Sequence, residues 1–212
     1  MDINSIENKE EKLVLAKKIA QKVKDGQTIG FGSGSTSYLA AIEIGKLTME
    51  YGYKITAIPT SNEIEEVCKK YNINVGNLLE NDIDWCFDGA DEVDENKNMI
   101  KGMGRAMFKE KLNIISSKKT YILVDDSKFV KKLGEKHPIP VEVFPSAMKY
   151  VSNQLTKLGA METVYRGMTE NNNAILDSKF DNIDENLEKK IKQIPGVIES
   201  GLFYNYKVEI LK

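Results

Sequence analysis

Gln27–Thr48, QTIGFGSGSTSYLAAIEIGKLT, reads as a short strand, a glycine-serine turn and a helix. The same unit recurs. YKITAIPTS is a strand stopped by Pro59, and NEIEEVCKKYN is a helix with Ser61 or Asn62 as its N-cap. IDWCFD is a strand, GRAMFKEKLNIISS a helix and KTYILVDD a further strand. Strands alternating with helices predict an α/β fold with a mostly parallel, Rossmann-like sheet covered on both faces. Ahead of them, KEEKLVLAKKIAQKVK sets Leu13, Ala16, Ile19, Ala20 and Val23 on one face of a first helix.

The pattern changes near Gly134. PIPVEVFP is extended and Pro-bracketed, and SAMKYVSNQLTKLG is a helix. METVYRGMT and AILDSKF form a hairpin across ENNN, and NIDENLEKKIKQIPG is a helix with Ile183, Leu187 and Ile191 spaced by four. NYKVEILK reads as a last strand returning to the first domain. The expected organisation is a catalytic domain of residues 1–133 and 205–212, with a smaller α+β (ferredoxin-like) domain over 134–204.

The bulk numbers narrow the function. A formal net charge of -2 over 212 residues argues against a general nucleic-acid or anionic-membrane binder. No stretch approaches a membrane span, and the charged, amphipathic N-terminus is unlike a signal peptide, so a cytoplasmic protein is expected. Cys68 and Cys86 stand in no metal or redox spacing, and the single histidine, His137, precedes a proline in a loop. A histidine-based metal site is excluded by count, and proton chemistry falls to carboxylates and lysines.

The turn Gly30–Ser37, GFGSGSTS, has the chemistry of a phosphate site. Its backbone N–H groups and the helix N-terminus attract an anion, and Ser33, Ser35 and Thr36 add hydroxyls around Gly34. No lysine supplies a Walker loop, and serines stand at the third glycine position of a dinucleotide fingerprint, so one small phosphate fits better than ATP or NAD. IDWCFDGAD brings Asp88 and Asp91 to the C-terminal end of a strand, where α/β sheets bind ligands. Gly89 allows a tight turn between them, whereas Asp94 and Glu95 read as a solvated turn. Lys101 follows, suited to hold the aspartates ionised or to stabilise a negative substrate oxygen. On the next helix Met107, Phe108, Leu112, Ile114 and Ile115 share an arc. Glu110 falls at its edge and Lys111 inside it, so Glu110 is a half-buried carboxylate suited to a general base, or else a surface partner of lysine. Lys128, after the fourth strand, points to the same crevice. Lys12 starts the first helix, in a lysine-rich segment where a solvated role is the alternative.

GSGSTS, IPTS, DGADEVD, the Lys-Gly at 101–102 with KEK behind it, VDDSK, PIPVEV, the ILD hairpin and IPGVIESGLF occur in this order over nearly the whole chain. Together they make the sequence resemble ribose-5-phosphate isomerases of the A type. The resemblance implies aldose–ketose isomerisation of ribose 5-phosphate and ribulose 5-phosphate through a cis-enediol(ate), with no metal and no cofactor. It implies that Glu110 is the general base, that Asp88 and Asp91 handle hydroxyl protons and ring opening, and that Lys101 stabilises the enediolate. Substrate binding would fall to Ser33, Gly34, Ser35, Thr36, Gly89, Ala90, Gly102, Met103, Gly104, Lys128 and Lys12. A homo-oligomer, dimer or tetramer, is also implied. Ser33 replaces the usual threonine, and Met103 and Arg105 replace small residues, which would narrow the pocket or add a phosphate or hydroxyl contact. A non-catalytic phosphosugar sensor and an isomerase of another phosphosugar are the alternatives.

Overall fold

The structure is a computed structural model describing residues Met1–Lys212. Its first half contains α1 (Lys9–Ala20), β1 (Thr28–Phe31), α2 (Gly34–Tyr51), β2 (Thr56–Pro59), α3 (Asn62–Lys70), β3 (Asn74–Val75), β4 (Trp85–Asp88), β5 (Glu92–Val93) and β6 (Met99–Ile100). There follow α4 (Met107–Ser116), β7 (Thr120–Leu123), β8 (Ile139–Val143), α5 (Met148–Lys157), β9 (Ala160–Met168), β10 (Ala174–Phe180), α6 (Leu187–Lys192), β11 (Val197–Ser200), β12 (Leu202–Phe203) and β13 (Glu209–Leu211). Two compact units result. One comprises Met1–Gly89, Lys109–Ser127 and Lys207–Lys212, the other Ala90–Phe108 and Lys128–Tyr206. The expected division kept residues 90–108 and 128–133 with the larger unit. They group instead with the smaller one, as do residues 205 and 206, and for residues 90–108 the reason is that β5 and β6 pair with each other and with β12.

The larger unit is built on a six-stranded sheet in the order β3-β2-β1-β4-β7-β13, every neighbour parallel. The C-terminal strand does return to this sheet, beside β7. One face carries Ile29, Phe31, Ala57, Trp85, Phe87, Tyr121 and Leu123 into a core with α1, α2 and α3. Phe31 and Phe87 meet edge-on at 4.9 Å between centroids. On the other face, Asn113 of α4 donates its amide to the Ile58 carbonyl at 2.8 Å. A Cβ at Gly30 would stand 3.1 Å from that amide nitrogen and 2.6 Å from Cys86 Cβ, so the glycine lets helix and strand approach. Strand order reverses between β1 and β4, which makes their C-terminal ends the switch point where α/β sheets bind ligands.

The smaller unit runs β8-α5-β9-β10-α6-β11, with sheet order β11-β8-β10-β9 and all pairs antiparallel. This is the ferredoxin-like arrangement. Ile139, Val141, Val143, Ala174 and Leu176 pack under Val151, Leu155, Leu187 and Ile191 of the helices. The last helix is shorter than its periodicity predicts. Asp184 accepts the Asn186 N–H at 2.8 Å in a local turn, so Ile183 lies outside α6 although it packs against the same core.

Glu92 is the acid whose role composition hid. It is fully buried and accepts backbone N–H groups from Gly134 at 2.7 Å and from Lys136 and His137 at 2.6 Å each. One carboxylate thus fixes the loop that leads into β8. Glu92→Ala leaves three backbone donors without their acceptor and is expected to reduce stability by about 3 kcal/mol in urea unfolding followed by circular dichroism. A loss under about 1 kcal/mol would show that the loop does not depend on it.

Candidate active site

In the larger unit, the ends of β1 and β4 are joined through one carboxylate. Asp88 closes β4 and is almost fully buried. Its Oδ1 accepts the N–H of Gly89 at 2.8 Å, the N–H of Ser33 at 3.1 Å and the hydroxyl of Ser37 at 3.4 Å. Gly32 in turn donates its N–H to the Phe87 carbonyl at 2.8 Å. No side chain fits at Gly32, since a Cβ would fall 2.2 Å from Asp88 Oδ1. The glycine-serine turn and the acidic strand end therefore form one hydrogen-bonded piece.

Ser33 is the N-cap residue of α2, yet its side chain makes no capping bond. It meets Thr60 instead, Oγ to Oγ1 at 2.5 Å. Gly34 has φ +83°, with open space where a Cβ would stand, so the first turn of α2 is accessible. Lys12 is only 8% exposed and places its ammonium 3.0 Å from Ser35 Oγ. The lysine least distinguished by its sequence surroundings is thus the one brought to the turn.

Helix α4 carries its polar residues inward. Glu110, Lys111 and Asn113 are each 4% exposed, whereas Ile115 is 61% exposed and Phe108 and Leu112 are half-buried. The apolar arc coincides with the buried face only in part. The buried stripe runs through Met107, Glu110, Lys111 and Ile114, because Asn113 is anchored in the sheet and sets the helix rotation. Glu110 is accordingly more buried than its place at the edge of the arc suggests.

The smaller unit supplies its own group. Asp91 Oδ2 accepts the Met103 N–H at 3.0 Å, and the Asp91 N–H donates to the Ile100 carbonyl at 2.9 Å. Lys101 is 2% exposed, with its backbone N–H on the Gly201 carbonyl at 2.8 Å and its ammonium 5.7 Å from the Phe203 ring centroid. Gly102, at φ +98°, packs where a Cβ would come within 2.8 Å of Met107. Arg105 takes φ +63° and donates Nη1 to the Met168 carbonyl at 3.3 Å. This contact is with the end of β9. Lys128 ends the short 3-10 turn Asp126–Lys128, half-buried. Ala90 is buried, Met103 half-buried and Gly104 exposed.

His137 acts through its backbone on Glu92. Cys68 is buried on α3, and burial pushes its thiol up to about 12, which leaves it inert. No group of three or more His, Cys, Asp or Glu side chains is placed to hold a metal ion, and no helix is long and apolar enough to cross a membrane. Sequence reasoning gave no part to Ser37, Thr60 or Asn113. IPTS held the signal for Thr60, being a polar end to an apolar strand beside the turn.

A doubly wound sheet with a carboxylate at its switch point and an open, lysine-backed helix N-terminus defines an α/β enzyme of small anionic substrates. Residues 56–211 match the family model of ribose 5-phosphate isomerase A (phosphoriboisomerase A). The chain is 43% identical over 206 residues to ribose-5-phosphate isomerase A of Methanocaldococcus jannaschii, covering 92% of this chain and 91% of that one. The solved structure of the M. jannaschii enzyme superposes with a TM-score of 0.92, covering 97% of this chain and 95% of that one. A D-ribose-5-phosphate isomerase solved in complex with phospho-erythronic acid superposes at 0.91, with 33% identity and the same 97% and 95% coverage. The chain belongs to the ribose-5-phosphate isomerase A family and is an isomerase of that type.

Gly32→Ala is expected to lower kcat at least about 10²-fold, since its methyl displaces Asp88 from the turn. Isomerase assay checks this, with circular dichroism to show that the fold persists. Near-normal turnover would show that the junction of turn and aspartate does not matter to catalysis.

Proposed function

We propose that the chain interconverts D-ribose 5-phosphate and D-ribulose 5-phosphate through a cis-enediol(ate), and that the reaction needs no metal. The observation that carries the reading is the binding of Asp88 to the glycine-serine turn, which couples an acid to an anion-binding helix end. The relative solved with phospho-erythronic acid adds that a four-carbon phosphorylated acid enters a family member.

In this reading, the N–H groups at the start of α2, the hydroxyls of Ser35 and Thr36, and Lys12 and Lys128 bind the phosphate. Asp88 and Asp91 move hydroxyl protons as the ring opens. Glu110 takes the proton from C2. The C–H electron pair forms the C1–C2 double bond, and charge passes to O1, where the Lys101 ammonium stabilises it. The proton returns from Glu110 to C1, and the O2 hydrogen passes to O1, so that C2 becomes the ketone and C1 a hydroxymethyl group. Glu110→Gln is expected to lose about 10²–10⁴ in turnover with phosphosugar binding retained. The wild-type enzyme is expected to keep its rate in a chelator. Full activity in the variant removes Glu110 as base, and loss of rate in chelator overturns the metal-free reading.

The proposal extends to a cytoplasmic homo-oligomer. Strand β9 is an edge of its sheet, yet Met161, Val164, Tyr165 and Met168 are exposed along it. A long apolar edge is a template for pairing. Glu162 and Arg166 lie symmetrically about Val164, so antiparallel pairing of two copies about Val164 sets opposite charges together. Val164→Lys is expected to dissociate the oligomer in size-exclusion chromatography with light scattering. A wild-type monomer, or an unchanged oligomer in the variant, would contradict this surface.

A further inference from the structure

Ser33 has two hydrogens to give, and the fold uses both. Its N–H goes to Asp88 Oδ1 at 3.1 Å. Its hydroxyl faces Thr60 Oγ1 at 2.5 Å, where geometry alone leaves the donor open. The direction follows from the next bond. Thr60 Oγ1 lies 3.2 Å from the Phe31 carbonyl, which can only accept, so the single Thr60 hydroxyl hydrogen is spent there. Ser33 is then the donor to Thr60. Thr60 is itself fixed, nearly fully buried, with its backbone N–H on the same Phe31 carbonyl at 3.0 Å.

The helix end agrees. An N-cap serine ordinarily accepts from an N–H of the first turn, and Ser33 makes no such bond. Its hydroxyl is turned away, which leaves those N–H groups for a ligand. Toward a ligand, half-buried Ser33 can present lone pairs only. A phosphate dianion needs donors. Those stand one step along, at Gly34, Ser35 and Thr36, with Lys12 bound to Ser35.

We propose that Ser33 lies outside the phosphate grip and accepts a hydroxyl of the sugar chain, and that Thr60 is the positioning residue that fixes this polarity. The inference rests on the phosphosugar reading above. The experiment separates the two by measuring inhibition by inorganic phosphate alongside turnover of ribose 5-phosphate. Failure of phosphate to compete in the wild type sinks the underlying reading, and this inference with it. With competition present, Ser33→Ala is expected to keep the phosphate inhibition constant within about twofold while kcat/KM falls about tenfold. Ser35→Ala is expected to weaken phosphate severalfold. Thr60→Val should reproduce the loss in kcat/KM with phosphate unchanged or tighter, because the Ser33 hydroxyl is released. Thr60→Ser, which keeps the hydroxyl, should recover it. Phosphate inhibition weakened equally by Ser33→Ala and Ser35→Ala overturns the assignment of Ser33. Wild-type kinetics in Thr60→Val, or equal losses in Thr60→Val and Thr60→Ser, overturn the role of Thr60. Should Thr60→Val not fold, the Ser33 and Ser35 pair still decides.

Discussion

The larger unit depends on one carboxylate oxygen. Asp88 Oδ1 gathers donors from the chain leaving β1, from its own strand end and from the first turn of α2. Sheet order makes this possible, since at the reversal between β1 and β4 the chains leaving two neighbouring strand ends diverge and open a crevice between them. Gly32 follows from the same constraint, because its missing side chain is the space the aspartate occupies. The helix end and the acid end of the turn are therefore set by one local geometry rather than by two independent loops.

The smaller unit solves a similar problem with different parts. Within DGADEVD, Asp91 fastens the turn through Met103, while Glu92 is consumed by the loop into β8. Adjacent acids in one motif thus differ in burial and in partners. Asp91 is half-buried, whereas Glu92 is fully buried and surrounded by three backbone donors from its own fold.

Much of this was legible in the sequence. The alternation of strands and helices announced the parallel sheet, and the hairpin between two helices announced the second unit. Asp88, Asp91, Lys101 and Glu110 were named from turn chemistry and resemblance, and each is held by the elements expected of it. What stayed hidden was tertiary. The rotation of α4 is set by Asn113 reaching Ile58, so an apolar arc misjudged Ile115. Lys12 looked like one of many N-terminal lysines until its ammonium was seen at Ser35. The two-residue strands β3, β5, β6 and β12 carry no period long enough to read. The direction of the Ser33 hydroxyl depends on a carbonyl in β1 and a threonine after β2, which no local pattern links.

Isomerisation in heavy water, with ribulose 5-phosphate analysed for deuterium at C1, tests the account most directly. Transfer of the C2 proton through a carboxylate predicts solvent deuterium at C1. Product carrying none, at any extent of reaction, would contradict a solvent-exchanging carboxylate at Glu110 as the carrier of the C2 proton.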